Sequence, residues 1–183
     1  MLKKRVATYR NNPLGFCLFN WMWGENTLKD RALEPWQKEV LWDIGKGLEG
    51  GMDVEEAVQL AVASGHGIGK SALIAMIIIW FLSTHAHPQV VVTANTGTQL
   101  ATKTWRELAK WWGLSLNKDW FTWTATKFYL TDEPATWFAS AIPWSKERAE
   151  AFAGTHEDNV LVIYDEASGI DPIIWETTEG ALT

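Results

Sequence analysis

Apolar positions first recur at helical spacing. After Pro35, which suits the first position of a helix, Trp36, Val40 and Ile44 fall on one face at four-residue intervals. Gly45, Gly47, Gly50 and Gly51 are expected to end this element, so the pattern predicts one amphipathic helix and then a turn-rich linker. Further on, Val58, Leu60 and Val62 alternate as a strand would, although Val54, Val58 and Val62 also fit a helix, and local propensity does not choose between them. The residues that follow favour the strand. Ser64-Gly-His-Gly-Ile-Gly-Lys-Ser71 carries three glycines and runs directly into Ala72–Leu82, eleven consecutive apolar residues that predict a buried helix. A strand, a glycine loop and a buried helix make half of a βαβ unit.

Beyond it, Gln89–Thr93 is a short β-branched run bounded by Pro88 and by Ala94-Asn-Thr96, and a helix is predicted over Thr98–Trp112. In that helix Leu100, Thr104, Trp105 and Leu108 face inward, and Lys103, Arg106 and Lys110 face outward. Phe128–Leu130 and Thr136–Ser140 flank Asp132-Glu-Pro134 as a hairpin would. Ser145–Phe152 reads as helical. Val160–Tyr164, five β-favouring residues ahead of Asp165 and Glu166, predicts a fully buried parallel strand delivering two carboxylates at its C-terminal end.

Composition narrows the class. With 183 residues, 47% hydrophobic and 21% charged, the chain is expected to fold around a core. A net charge of −6 argues against a surface that coats nucleic acid by bulk electrostatics, so any DNA contact is expected to be local. The single Cys17 excludes a disulfide framework and a four-cysteine zinc site and reads as a small buried apolar residue. The eleven-residue apolar run falls short of a membrane span, and no signal-peptide core follows the basic start. The 13 tryptophans read as core and platform material whose indoles need packing or an N–H partner.

The glycine loop carries the first chemical signal. A polyphosphate needs many donors in a concave shape, and glycine turns backbone N–H groups inward without Cβ clashes. Gly65, Gly67 and Gly69 supply that freedom, the helix start adds its positive dipole end, Lys70 can reach the β and γ phosphates, and the Ser71 hydroxyl can join a Mg²⁺ shell. Ser64 stands where the P-loop pattern wants glycine. Asp165 at a strand end suits Mg²⁺, and Glu166 suits orienting or deprotonating an attacking water. Gln37 is either a carboxamide matched to the N6 and N7 edge of adenine or a solvated glutamine. Arg148 and Arg106 are either arginine fingers or solvated cations. Lys103, Arg106 and Lys110 read as a solvated face or a phosphate-backbone contact, Asn95–Gln99 as a helix cap or a coupling loop, and His85 and His87 as loop histidines.

Taken together, Pro35-Trp-Gln37, Ser64–Ser71, Thr93-Ala-Asn-Thr96 with Gln99, Glu150-Ala-Phe-Ala-Gly154 and Val162-Ile-Tyr-Asp-Glu-Ala-Ser168 resemble the large terminase subunit of tailed bacteriophages and prophages, the ATP-driven motor that packages DNA. The resemblance implies an α/β P-loop NTPase of the RecA-like, additional-strand type, with a mostly parallel sheet flanked by helices. Residues 1–51 would form a helical lead-in with the adenine segment, and 52–183 an ATPase core incomplete at its C-terminus, without the family's nuclease domain. By the same resemblance, Ser64, Gly65, His66, Gly67, Ile68, Gly69, Lys70 and Ser71 form the Walker A loop. Asp165 becomes the Walker B metal carboxylate, Glu166 the catalytic glutamate and Gln37 the adenine contact.

Many members carry an arginine at the place of His66, so Arg148 from a neighbouring subunit is the expected substitute. The implied ligands are ATP and Mg²⁺, and the implied partners are double-stranded DNA, a portal protein, the small terminase subunit and further copies of the chain, in the cytoplasm of a bacterial host, with no membrane. The competing readings are a helicase-like DNA translocase and a non-catalytic nucleotide-binding or assembly remnant of a prophage terminase. In the fold implied, a further strand inserts between the Walker A and Walker B strands. A chain stopping at Thr183 is therefore expected to leave strand edges unpaired, to associate or aggregate, and to show little ATPase activity.

Overall fold

The computed structural model describes residues 1–50, 58–63, 67, 69–94, 96–143, 158–167 and 174–177. They form a mixed α/β fold in which a five-stranded sheet packs against helices. The lead-in helices are α1 (Leu2–Ala7), α2 (Pro13–Asn20) and α3 (Pro35–Glu49). α2 begins where Asn12 caps it, its side chain accepting from the Gly15 N–H at 2.7 Å. α3 begins at Pro35, as its sequence predicts, but it does not stop at the first glycines and runs to Glu49 with Gly50 as C-cap. The interior glycines have a packing reason. A Cβ at position 45 would meet the Asn11 carbonyl oxygen at 3.0 Å, and one at 47 would meet Val58 at 2.9 Å, so close approach outweighs the helix-weakening effect of glycine.

α4 (Lys70–Thr84) is the buried helix its apolar run predicts, and α1, α2 and two strands of the sheet lie against it. The chain then forms β1 (Gln89–Ala94) and a long helical segment made of α5 (Gly97–Gln99), a π-helical turn (Leu100–Thr104) and α6 (Trp105–Gly113), the last packed on α4. β2 (Phe121–Trp123), β3 (Lys127–Leu130), β4 (Phe138–Ala141) and β5 (Val160–Asp165) complete the sheet in the order β2-β3-β4-β1-β5. β1 pairs in parallel with both β4 and β5, whereas β2–β3 and the expected β3–β4 hairpin are antiparallel. The sheet is therefore mixed rather than mostly parallel, because the hairpin extends it on one side.

Two further expectations are corrected. Residues 58–63 form no strand: they lie beside α3, with Leu60 and Val62 45% and 40% exposed. Alternation stabilises a strand only where a neighbouring strand takes its hydrogen bonds, and among the described residues none pairs with this segment. β5 is half-buried along Val160–Tyr164 and fully buried only at Asp165. It is an edge strand of the described sheet, with β1 on one side alone.

The tryptophans stitch the layers together. The indole N–H groups of Trp21, Trp23, Trp80, Trp105, Trp112 and Trp137 donate to the main-chain carbonyls of Trp111, Cys17, Tyr9, Thr124, Lys118 and Leu82. Cys17 is buried, and burial pushes its thiol pKa up, in keeping with an inert core residue. Among the described residues no helix is long and apolar enough to cross a membrane.

Candidate functional site

The glycine turn and the start of α4 form one end of the site. Gly67 and Gly69 have φ of +78° and +94°, a conformation that side-chain-bearing residues rarely adopt, and Gly69 is the N-cap of α4. Lys70 and Ser71 open the helix behind it. Ser64, Gly65, His66 and Ile68 lie outside the described residues.

Gln37, in the first turn of α3, reaches this glycine turn. Its Nε2 donates to the Gly69 carbonyl at 3.1 Å, and its Oε1 accepts from the Glu34 N–H at 3.0 Å. At 5% exposure Gln37 is buried, which removes the solvated alternative. The carboxamide couples the starts of α3 and α4, two segments 32 residues apart in sequence. Beside it opens a cleft of about 580 Å³, lined by Trp23, Trp36, Gln37, Gly69, Met76 and Trp111 among others.

The acidic pair stands at the end of β5. Asp165 closes β5 at 8% exposure and accepts a hydrogen bond from the buried Thr104 hydroxyl. Glu166 follows with φ +58°, and its carboxylate pairs with Lys103 Nζ at 3.0 Å. α4 touches β5, so the helix that begins at the glycine turn packs on the strand that ends in the acids.

Lys103 and Thr104 are the residues that the sequence did not single out for this place. Helical periodicity sets Thr104 inward and Lys103 outward, yet successive residues of the π turn contact successive acids. The predicted cationic stripe is thereby divided: Lys103 joins Glu166, Lys110 joins Glu107 at 3.4 Å, and Arg106 is exposed. The signal that could have found the pair is the placement of an ammonium and a hydroxyl on the helical segment that follows β1, about two turns from its start.

Of the remaining candidates, Thr96 is a helix cap, its Oγ1 accepting the Gln99 N–H at 3.1 Å, while Asn95 lies outside the described residues. Arg148 and the Ser145–Phe152 segment also lie outside them. His87 is an exposed turn residue, 3.4 Å from Glu133, and His85, the C-cap just past the end of α4, also lies outside the helix but is not solvated. It is buried at the end of α4 and stacked on Phe81 with ring centroids 4.1 Å apart. Burial lowers its pKa to about 4, with the charge of Arg10 acting in the same direction and the Phe81 main chain opposing. Among the described residues no cluster of three or more His, Cys, Asp or Glu side chains could hold a metal ion unaided.

The class defined by these features is a mixed α/β protein with a glycine turn at a helix start and an acidic pair at a strand end. Comparison with known proteins then adds a relative. No protein-family model matches the sequence. Over 186 aligned residues, covering 99% of the chain, it is 30% identical to a protein described as "Probable terminase, large subunit" from Enterobacteria phage P7. The similarity runs over nearly the whole chain, which spans 34% of that relative's length.

Proposed function

We propose that this chain is the nucleotide-hydrolysing part of a phage DNA-packaging motor, with a P-loop core of the RecA-like, additional-strand type. The observation that carries the reading is the bond from Gln37 to Gly69, which ties an adenine-reading candidate to the left-handed glycine that starts α4, on a helix packed against the strand ending in Asp165 and Glu166. The relationship to a large terminase subunit supports it.

The residues fit Mg²⁺ and ATP on chemical grounds. Among the described residues no side chain caps the first turn of α4, and such a start complements an anion. Gly67 and Gly69 hold the preceding turn in a form that a Cβ would strain. A glutamine carboxamide carries two hydrogens and two lone pairs on its oxygen, so the bonds to Gly69 and Glu34 leave capacity for a base edge. In this reading Lys70 binds the β and γ phosphates, and Ser64, Gly65, His66 and Ile68 complete the phosphate loop. Ser71 and Asp165 would hold Mg²⁺, which when bound neutralises phosphate charge. Glu166 orients the attacking water and accepts its proton. Arg148 of a neighbouring copy would face the γ phosphate. The work done is movement of double-stranded DNA through a portal, with the small terminase subunit and further copies of the chain as partners.

Calorimetry with ATP and Mg²⁺ tests this. The wild-type chain is expected to bind, and Lys70→Ala to bind at least about tenfold more weakly, because it removes the mobile cation from a loop otherwise made of neutral donors. Equal affinity for the two proteins, or no binding by wild type, would overturn the assignment.

A further inference from the structure

The hydroxyl of Thr104 behaves unlike others on the helices of this protein. Thr84 and Thr102 donate to carbonyls four residues back, those of Trp80 at 2.7 Å and Thr98 at 2.6 Å, the usual local partner of a helical threonine. For Thr104 that partner would be the Leu100 carbonyl. In the π turn, however, this carbonyl accepts from the Trp105 N–H, five residues on, and the Thr104 hydroxyl donates across to Asp165 Oδ2. Thr104 is 0% exposed, so no water competes for this hydrogen. Thr104 closes this π turn, and inserted turns of this kind recur at functional sites.

We infer that Thr104 is a positioning residue for Asp165: its hydroxyl fixes the rotation of the carboxylate and leaves Oδ1 as the acceptor for a divalent cation. The inference rests on the reading of Asp165 as the metal carboxylate. Its chemistry is specific to a neutral donor. An ammonium in the same place would offset the negative charge the cation needs, as Lys103 does for Glu166 one residue earlier, whereas a hydroxyl orients the carboxylate and leaves its charge intact.

The test measures Mn²⁺ binding directly, from the electron paramagnetic resonance of the free ion, in the presence of a non-hydrolysable ATP analogue. Thr104→Val keeps the shape and removes the donor, and is expected to weaken Mn²⁺ by about tenfold, the lower end for loss of a group that orients a metal ligand. Thr104→Ser restores the hydroxyl and should bind within about twofold of wild type, a rescue that a packing role would not produce because serine lacks the methyl group. Asp165→Ala separates the two claims. If it leaves Mn²⁺ affinity unchanged, the metal assignment falls. If it weakens binding while Thr104→Val matches wild type, the metal assignment stands and the positioning role of Thr104 is wrong. Should Thr104→Val fail to fold, Thr104→Ala, which needs no fit of a branched side chain, gives the same reading, and wild-type affinity in that variant refutes the inference.

Discussion

At the start of α4 the chain is fastened through its main chain, Gln37 giving a hydrogen to the Gly69 carbonyl and taking one from the Glu34 N–H, whereas at the end of β5 two acidic side chains are held by other side chains, Thr104 and Lys103. The glycine end owes its shape to backbone conformation, with φ of +78° and +94° at Gly67 and Gly69. The acidic end owes its shape to the groups that would do the chemistry. Substitutions of the two glycines should therefore register as lost stability, and those of the two acids as lost function in a chain that still folds.

The largest expected effect lies at the acidic end. Glu166→Gln should keep nucleotide binding and lower whatever turnover the wild type shows by about 10²–10⁴, the usual contribution of a positioned general base. Asp165→Ala should instead shift the Mg²⁺ dependence of binding. Indistinguishable magnesium titrations for the two variants would break the division of labour between neighbouring acids.

The next effect tests the glycine end. Gly69→Ala is expected to destabilise the fold by about 1–2 kcal/mol from left-handed backbone strain alone, read from urea melts. Its Cβ would also lie 3.0 Å from Gln37 Nε2, so further loss should come from that contact. Gly67→Ala carries the same sign of φ but would meet none of the described residues within 4 Å, and it should show the backbone cost without the addition. Equal melts for the two variants would mean that the bond to Gln37 contributes nothing to the turn.

The smallest effect sharpens the contrast from the other side. The Lys103 and Glu166 side chains are 53% and 26% exposed, and an ion pair this open to solvent contributes less than about 1 kcal/mol. Lys103→Met should therefore leave the melting midpoint nearly unchanged. A loss above about 2 kcal/mol would show that this pair, too, holds the fold together.

Much of the scaffold was legible because its signals are local. Pro35 marked the start of α3, the unbroken apolar run marked α4, and Asp132-Glu-Pro134 marked the turn between β3 and β4. What escaped depended on partners distant in sequence. The Val58, Leu60, Val62 alternation carries no statement of whether a strand lies alongside, and Gly45 and Gly47 read as terminators because the nearness of Asn11 and Val58 is not written in α3 itself. The candidate site divides the same way. Asp165, Glu166 and Gln37 were visible as candidate chemistry-bearing residues. The contact of Gln37 with Gly69, and of Thr104 with Asp165, required the tertiary fold, and a one-residue insertion in a helix leaves hydrophobic periodicity too nearly intact to be seen.

Trp105, the residue directly after the π turn, is buried and donates its indole N–H to the Thr124 carbonyl at 2.7 Å. That bond gives the turn its own spectroscopic line. Each indole contributes a separate cross-peak in a ¹H–¹⁵N correlation spectrum, and straightening the π turn would rotate everything beyond it by about 100°, pulling the Trp105 indole off Thr124. The Trp105 signal would move while those of Trp80 and Trp137, bonded to the Tyr9 and Leu82 carbonyls, stayed in place, so any rearrangement of the segment that carries Thr104 is observable in a single peak, without a label placed near the acids.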